Sequence, residues 1–254
     1  MSPSASRQQR QEYRDLIDVL RDSPHPEANG FAPFLADRDF WVRDAAIDAL
    51  ISLGSVDSAR LIGPHLDDPE STVRMNAAEA MGKLRYEPAI PRLISRMKRD
   101  RTPIVRVCAA EAIGDIGTSK DEFLEALSTA METDSNELVR AYAADSLGRL
   151  GAARMQLRIR GQFERDRSAR ARASMLQALY RLGDDTALQR LLTMLRRVRR
   201  WEMEAAILNL LREIATPKNR GEMRLAVREI AEVKPMLHQF HGSDADLFEE
   251  EVCE

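Results

Sequence analysis

The chain has 254 residues, of which 44% are hydrophobic, 31% charged and only 5% aromatic, and its formal net charge at pH 7 is −3. This hydrophobic content is enough for an extended core, and so few aromatic residues disfavour a sheet protein, so we expect an all-α fold. Two cysteines, Cys108 and Cys253, lack CxxC or Cys/His spacing, which excludes a disulfide framework and favours a reducing compartment.

Residues 1–7 are expected to be disordered, and residues 8–21 are predicted to form an N-terminal capping helix. Neither an apolar leader nor an apolar run long enough to cross a membrane is visible, so we expect a cytoplasmic protein with no membrane partner.

One phrase then repeats five times, at intervals of 31, 32, 34 and 32 residues. The copies are Val42-Arg43, Val73-Arg74, Val105-Arg106, Val139-Arg140 and the degenerate Ala171-Arg172. Repetition at a nearly fixed period predicts stacked supersecondary units, each contacting its neighbours.

Each phrase opens a predicted helix with one apolar face. A glycine stands eleven positions after the arginine in four units, as Gly54, Gly117, Gly151 and Gly183, where a left-handed residue can end the helix. A second amphipathic helix leads into the next unit, over residues 58–66, 88–97, 121–131, 155–163 and 186–195.

An aspartate lies six residues before each of these arginines. It falls in the turn before the helix, where a carboxylate can accept N–H groups at the helix N-terminus, and stacking would bring it near an arginine of an adjoining unit. We expect a structural ladder made of Asp37, Arg43, Asp68, Arg74, Asp100, Arg106, Asp134, Arg140, Asp166 and Arg172.

The repeat unit, as in residues 100–116 and 134–150, resembles the HEAT-like repeat of the phycobilisome-lyase type. The shared pattern is Asp-x-x-x-x-Val-Arg-x-x-Ala-Ala-x-Ala-(Leu/Ile/Met)-Gly-x-(Leu/Ile). The resemblance implies a right-handed α-solenoid, a HEAT/armadillo-like superhelix of about six helix pairs with capping helices, as a single domain over residues 8–241. The repeats fall at about 26–54, 55–85, 86–117, 118–151, 152–183 and 184–215.

The sixth unit departs from this pattern, because Val198 replaces the aspartate and Glu204 the arginine, so the ladder should stop there. Residues 220–233 and 235–240 are predicted to be C-terminal capping helices. Residues 242–254 form an acidic tail with six acids and no base, expected to be disordered, to dock to a partner, or to fold back on the arginine-rich region described below.

In this resemblance the Val-Arg helices line a concave groove. Their fifth residue after the arginine is acidic in four units, as Asp48, Glu79, Glu111 and Asp145, and is then replaced by Gln177 and Asn209. The row is either an acidic groove that selects a basic or mixed-charge partner, or a helix face whose carboxylates pair with Lys83 and Arg149.

Residues 154–200 contain thirteen arginines and no lysine against four acids. Many lie in turns, which should cluster along one edge of a stack, as Arg165, Arg167, Arg170, Arg196, Arg197, Arg199 and Arg200, followed by Trp201. Arginine suits bidentate binding of carboxylate or phosphate. The edge either binds a partner or is merely solvated.

Catalytic and metal-site signals are weak. His238 and His241 have a chelating spacing but no obvious third ligand, and neither a catalytic triad, a P-loop nor a dinucleotide fingerprint is recognisable. The repeated His-Glu pairs of iron-binding HEAT-like hydroxylases are absent from the sequence, and Cys108 is interpreted as a small core residue. We therefore expect no metal, no cofactor and no enzymatic activity.

The sequence favours a cytoplasmic protein-protein interaction scaffold that binds another protein, one with an acidic segment, through its groove and its arginine-rich edge. Nucleic-acid binding is the alternative, prompted by the arginines, Trp201 and the existence of HEAT-like DNA glycosylases. A bilin lyase or chromophore-handling subunit, and a bacterial source, are implied by the resemblance alone.

Overall fold

The structure is a computed structural model, and it describes residues 7–117 and 119–233. These residues form fourteen α-helices joined by short turns and 3₁₀ segments, with no strand among them, which confirms the all-α repeat fold. The expectations for residues 1–6, for a helix at 235–240, for the tail at 242–254 and for the pair His238 and His241 lie outside the described residues.

The helices follow one another with short connections. They are α1 (Arg7–Arg21), α2 (Ala32–Leu35), α3 (Phe40–Leu53), α4 (Val56–Ile62), α5 (Ser71–Lys83), α6 (Ile90–Arg99), α7 (Pro103–Ile116), α8 (Asp121–Thr133), α9 (Glu137–Arg149), α10 (Gln156–Arg165), α11 (Ala169–Arg181), α12 (Thr186–Arg197), α13 (Trp201–Glu213) and α14 (Arg220–Val233). The packing groups them into two compact units, divided after Ala130, called unit 1 and unit 2 below.

Unit 1 is built on the Val-Arg helices α3, α5 and α7, which pack side by side. A Cβ added at Gly82 would lie 2.9 Å from the Cα of Ala112, so only a glycine lets α5 approach α7 this closely. Leu50, Met81 and Ile113 are fully buried between the helices and supply the apolar core.

Unit 2 repeats this design with α9 and α11. Here a Cβ at Gly148 would lie 2.7 Å from the Cα of Ala178, so the small residues of the repeat pattern set the spacing between the helices. Helix α12 packs on α11 and on α14, and buried Leu191 and Ile207 extend the core towards the C-terminal helices.

The helix ends follow the predicted glycines. The φ angles of Gly54, Gly117, Gly151 and Gly183 are 65°, 80°, 64° and 94°, and all four lie where a Val-Arg helix ends. In the second repeat the equivalent position is Arg85, whose φ of 48° is unusual for a residue with a side chain.

Two of the predicted second helices differ from expectation at prolines. The segment 58–66 forms α4 and then a 3₁₀ turn over Gly63–Asp67, because Pro64 has no N–H for an α-helical bond. The segment 88–97 starts as a 3₁₀ turn over Glu87–Ala89 and becomes helical at Ile90, beside Pro91.

Candidate functional site

Three of the Val-Arg arginines, Arg43, Arg74 and Arg140, bind the aspartate of the following repeat. In unit 1 the Nε and Nη2 of Arg43 donate to the two carboxylate oxygens of Asp68 at 2.8 and 2.7 Å. The same bidentate contact joins Arg74 to Asp100 at 2.7 and 3.0 Å and, in unit 2, Arg140 to Asp166 at 2.7 and 2.9 Å. These pairs link successive repeats by charge-assisted hydrogen bonds.

The remaining guanidinium nitrogen of each arginine binds its own repeat. The Nη1 atoms of Arg43, Arg74, Arg106 and Arg140 donate to the backbone carbonyls of Asp37, Asp68, Asp100 and Asp134 at 2.8 to 3.0 Å. One side chain thus fixes the turn before its own helix and, where the bidentate contact is formed, the carboxylate of the next repeat.

The ladder aspartates bind the N-cap residue before each Val-Arg helix and not, as expected, the first N–H groups of the helix itself. Each accepts the N–H of the residue two positions on, which is the N-cap of the Val-Arg helix and not an N–H within it; the acceptors are Asp37, Asp68, Asp100, Asp134 and Asp166. Such an Asx turn fixes the chain direction just before the helix. Other side chains cap the helices, as Asn136 does for α9 and Ser168 for α11.

Three ladder carboxylates, those of Asp68, Asp100 and Asp166, are held in their charged form. Burial by itself would raise the pKa of Asp68, but the hydrogen bonds from Arg43 and from the Glu70 N–H outweigh burial and keep that pKa below its ordinary value. The pKa values of Asp100 and Asp166 are lowered for the same reasons.

The ladder pattern changes at the sixth repeat, where Val198 stands in place of the aspartate. Its φ and ψ of −66° and 144° match those of Asp68, −58° and 143°, so the backbone of a ladder turn is kept without the carboxylate. Arg172, which would bind an aspartate there, stacks on the ring of Phe163 at 4.5 Å. Its buried Nε has no hydrogen-bond partner among the described residues.

The predicted acidic row lies on the Val-Arg helices, and in unit 1 it forms a face of like charges. The pKa of Asp48 is raised by burial and then by Glu79, and the pKa of Asp44, one helical turn earlier, is raised by burial and by Asp48. Hydrogen bonds moderate the repulsion, because Asn76 donates to Asp44 at 2.6 Å and Lys83 lies 2.6 Å from Glu79.

Cys108 lies half-buried beside this acidic face. Burial, followed by the charges of Glu111 and Glu79, raises the pKa of its thiol to about 11. The thiol is therefore protonated at neutral pH and is a poor nucleophile.

The fourth member of the acidic row differs from those in unit 1. In unit 2 Asp145 is bound by Arg149 at 2.9 Å and, on its other oxygen, by Arg181. The next position also departs from the groove interpretation, because Gln177 is fully buried and donates to the Leu210 carbonyl at 3.2 Å. Unit 2 therefore presents a neutralised row and not an acidic one.

The predicted basic edge consists of two turns of unit 2, between α10 and α11 and between α12 and α13, together with the ends of the helices that flank them. All seven arginines are exposed and Trp201 is 54% exposed; we call the set Arg165, Arg167, Arg170, Arg196, Arg197, Arg199, Arg200 and Trp201 the arginine edge. Within it Arg196 pairs with Glu229 at 3.3 Å and Arg200 with Glu202 at 3.7 Å. The pKa of Glu132 is lowered mainly by its hydrogen bond from Arg158, and the nearby charge of Arg165 adds to this.

Four arginines of the edge differ from the others because no carboxylate of the described residues lies beside them. Arg167, Arg170, Arg197 and Arg199 have no carboxylate within 4 Å in the part of the chain that the structure describes. Elsewhere in unit 2 arginines are paired across helices at 2.7 to 2.9 Å, as in Arg158 with Glu132, Arg160 with Asp184, Arg181 with Glu213 and Arg190 with Glu164. Positive charge without an internal partner is thus concentrated in these two turns.

A second basic feature was missed by the sequence reasoning, which took the first helix as a cap. Arg7, Arg10 and Arg14 share one face of α1 and line a cavity of about 180 Å³ together with Tyr13 and Trp41. Arg10 is bound to Asp39 at 2.9 Å and lies over the ring of Trp41 at 5.8 Å. The spacing of the three arginines, three and four residues apart, was the available signal.

Two features were not found among the described residues. Within 7–117 and 119–233 no group of three or more His, Cys, Asp or Glu is arranged to hold a metal ion. In the same ranges no helix combines the length and the apolar character needed to cross a membrane.

Comparison with solved structures finds the following similar chains. The complex of CpcE and CpcF of phycocyanin lyase from Nostoc sp. PCC7120 matches with a TM-score of 0.59 at 19% identity, over 84% of this chain and 90% of that one. Human deoxyhypusine hydroxylase in complex with glycerol matches at a TM-score of 0.45 and 19% identity over 88% and 98% of the two chains, and an engineered protein at 0.44 and 18% over 82% and 92%.

A search of curated proteins gave no match. The family model for HEAT repeats matches residues 28–114, 64–148 and 124–212, which together cover most of the chain and all of the predicted ladder. With its stacked helix pairs and the Asp/Arg contacts between them, the chain belongs to the HEAT-repeat family.

Proposed function

We propose that this HEAT-repeat chain is a non-catalytic binding module that recognises an acidic segment of another protein through the arginine edge of unit 2. The observation that carries the proposal is the set of four exposed arginines, Arg167, Arg170, Arg197 and Arg199, without a carboxylate partner among the described residues. A guanidinium group can bind a carboxylate in a bidentate manner, so a short acidic segment laid across the two turns would satisfy all four.

The other charged surfaces are weaker candidates because their groups are already bonded. Asp44 accepts from Asn76, Glu79 contacts Lys83, and Asp145 is held by two arginines. In the cavity beside α1, Arg10 is bound to Asp39. The acidic face of unit 1 remains as a second surface for basic residues of the same partner.

The non-catalytic part of the proposal is supported by Cys108. With a thiol pKa of about 11, Cys108 lacks the thiolate that covalent catalysis requires near neutral pH. One similar solved structure is the complex of CpcE and CpcF of phycocyanin lyase. This likeness supports a protein as the partner, but lyase activity does not follow from a likeness of fold. A bilin lyase would attach a bilin to a cysteine-bearing acceptor, so we expect no new covalent chromophore absorbance when both are incubated with this chain.

The test compares three forms of the full chain as bait in a pull-down from native lysate, followed by mass spectrometry. The edge variant carries Arg167→Glu, Arg170→Glu, Arg197→Glu and Arg199→Glu. A smaller control carries Arg99→Glu and Arg101→Glu, which lie at the end of α6 and in the turn after it in unit 1 and are also exposed. Helical circular dichroism and melting temperature should be alike in all three, since turn side chains contribute little to the core.

The supporting result is a protein with an acidic segment that wild type and control retain and the edge variant loses, and that binds again when both proteins are purified. A partner retained equally by the edge variant would refute the assignment. If Glu79→Lys and Glu111→Lys abolish binding instead, the acidic face is the site and the partner is basic.

Nucleic-acid binding is a distinct outcome of the same design. Binding of a 20-nucleotide single strand or duplex that depends on the edge, and that falls log-linearly and steeply with salt, would replace the protein partner by nucleic acid.

A further inference from the structure

We infer that the arginine edge has an internal ligand, the chain's own acidic tail at residues 242–254, which a partner must displace. The inference rests on the proposed function for its consequence, since it makes the tail a competitor at the same site. Three features support contact between tail and edge: the direction of α14, the reach of the chain after it, and the chemistry of both surfaces.

Helix α14 runs parallel to α12 and ends at the arginine edge. Near the start of both helices Gln189 donates to Glu222 at 2.9 Å, and seven residues further along each helix Arg196 donates to Glu229 at 3.3 Å. Because both contacts advance together, the two helices point the same way. The last turn of α14 therefore lies beside the last turn of α12, which leads directly into Arg197 and Arg199.

The length of chain after α14 is sufficient to reach both turns of the edge. The first acidic residue of the tail, Asp244, follows Val233 by eleven residues, which can span at most about 35 Å when extended. Packed helices lie about 8–10 Å apart, so the α12–α13 turn and its neighbour, the α10–α11 turn, are both within that distance.

The chemistry of the two surfaces is complementary. The tail holds Asp244, Asp246, three consecutive glutamates at 249–251 and Glu254, and it contains no base. The four unpaired arginines provide matching charge without an intramolecular competitor among the described residues. Leu247 and Phe248 interrupt the acids, and the half-exposed Trp201 offers a ring beside the arginines.

A docked tail would set the threshold for partner binding. A segment tethered by a short linker has an effective concentration of about a millimolar, so a tail that binds its site with an intrinsic Kd of about 0.1 mM weakens a competitor roughly tenfold. The partner's segment should therefore resemble the tail in chemistry, with acids flanking an apolar residue, and bind more tightly than the tail does.

The first experiment adds the tail as a separate peptide. A fluorescein-labelled peptide of residues 242–254 is titrated by anisotropy into wild type and into a full-length neutral-tail variant, in which the two aspartates become asparagine and the four glutamates become glutamine. We expect the neutral-tail variant to bind the peptide about tenfold more tightly than wild type does, because its own tail no longer competes. Equal affinities, or no binding to the neutral-tail variant, would overturn the inference.

Matched charge reversals locate the contact. In the neutral-tail background, Arg197→Glu with Arg199→Glu should remove peptide binding, whereas Arg99→Glu with Arg101→Glu should leave it unchanged. If the second pair weakens binding as much as the first, the peptide responds to overall charge and the edge is not its site.

A readout within the intact chain avoids the added peptide. With Trp41→Phe in both forms, Trp201 is the single tryptophan and reports on the edge. Acrylamide should quench Trp201 about twofold more efficiently in the neutral-tail form than with the native tail, and 1 M salt should remove this difference. Identical quenching in the two forms at low salt would contradict a docked tail.

The two proposals fail in different ways. If the peptide does not bind but an acidic partner from the pull-down does, the tail inference is wrong and the proposed function stands. If the peptide binds the edge but no acidic partner depends on it, the tail contact stands and the proposed function is wrong.

Discussion

The pair formed by Arg43 and Asp68 offers a direct test of whether the ladder holds the repeats together. The side chain of Arg43 is 9% exposed and that of Asp68 4%, so both charges are almost completely removed from water. We expect Arg43→Met to destabilise the protein by about 3–5 kcal/mol, because it leaves the Asp68 carboxylate buried without its main partner.

The size of this effect follows from what is lost and what stays. Arg43 makes two hydrogen bonds to Asp68 and two to the carbonyls of Asp37 and Arg38. Methionine keeps most of the volume of the arginine stem, so the loss is electrostatic and not a cavity effect. After the change Asp68 retains the Glu70 N–H at 2.9 Å and the Nδ1 of His65 at 3.4 Å, which are too little to replace a bidentate guanidinium.

The assay is urea unfolding followed by circular dichroism, with midpoints compared at equal m-values. Arg60→Met is the matched control, since Arg60 pairs with Asp57 at 3.0 Å with the two side chains 66% and 70% exposed. That control should cost less than about 0.5 kcal/mol. Adding Asp68→Asn to Arg43→Met should recover at least about 1 kcal/mol, because it removes the stranded charge and keeps an acceptor for the turn.

Acid provides a second check on the same pair. The folded pKa of Asp68 is lowered from its ordinary 3.8, so its contribution is complete above pH 3.8 and is lost as the pH falls through the folded value. In Arg43→Met burial raises the folded pKa of Asp68, so the gap in unfolding free energy between wild type and variant should narrow as the pH falls from that raised pKa to the lowered pKa in wild type. The ladder does not stabilise the protein if Arg43→Met lowers the unfolding free energy no more than Arg60→Met does. The same conclusion holds if the gap is independent of pH down to acid unfolding.

Three further changes test other contacts. Val198→Asp should raise the free energy of unfolding by about 1–2 kcal/mol, because it returns a carboxylate to the position facing Arg172; a loss of stability in urea would show that Arg172 does not follow the repeat geometry. Gly148→Ala should lower stability by about 1–3 kcal/mol, because its Cβ would meet the backbone of α11 at 2.7 Å. Gly161→Ala should raise stability by up to about 1 kcal/mol, because its Cβ would meet only the flexible end of the Arg165 side chain, at 3.5 Å; thermal melts that rank the pair the other way would refute the packing. In a variant with Cys108 as its single cysteine, alkylation by iodoacetamide should reach half its maximal rate near pH 11, and a midpoint near 8.5 would mean that the thiol is not shielded by burial and acidic neighbours.

The features that could be predicted are those whose sequence signals lie within a single repeat. The constant six-residue spacing from aspartate to arginine places both at one turn, and the glycine eleven residues after the arginine marks the helix end. Both signals depend on local backbone geometry, which the residue types themselves dictate.

The contacts that the sequence did not reveal join residues a whole repeat or more apart. Asp145 looked like a groove carboxylate until Arg181, one helix further along the stack, was seen to bind it. The cavity beside α1 depends likewise on Trp41 meeting a face of the first helix, and the direction of α14 on its packing against α12. Such distances are set by how helices stack, and side-chain spacing along the chain does not encode them.

The bidentate contacts of Arg43, Arg74 and Arg140 join two complementary ends, a guanidinium of one repeat and a carboxylate of the next. A segment cut from one such aspartate to the next could therefore be duplicated or excised by recombination, and the same contact would form at the new junction. Val198 ends that interchangeability, since its turn keeps the shape of a junction but offers nothing for another arginine to hold. Duplication of repeats can therefore preserve the Asp/Arg contacts before this turn but not after it.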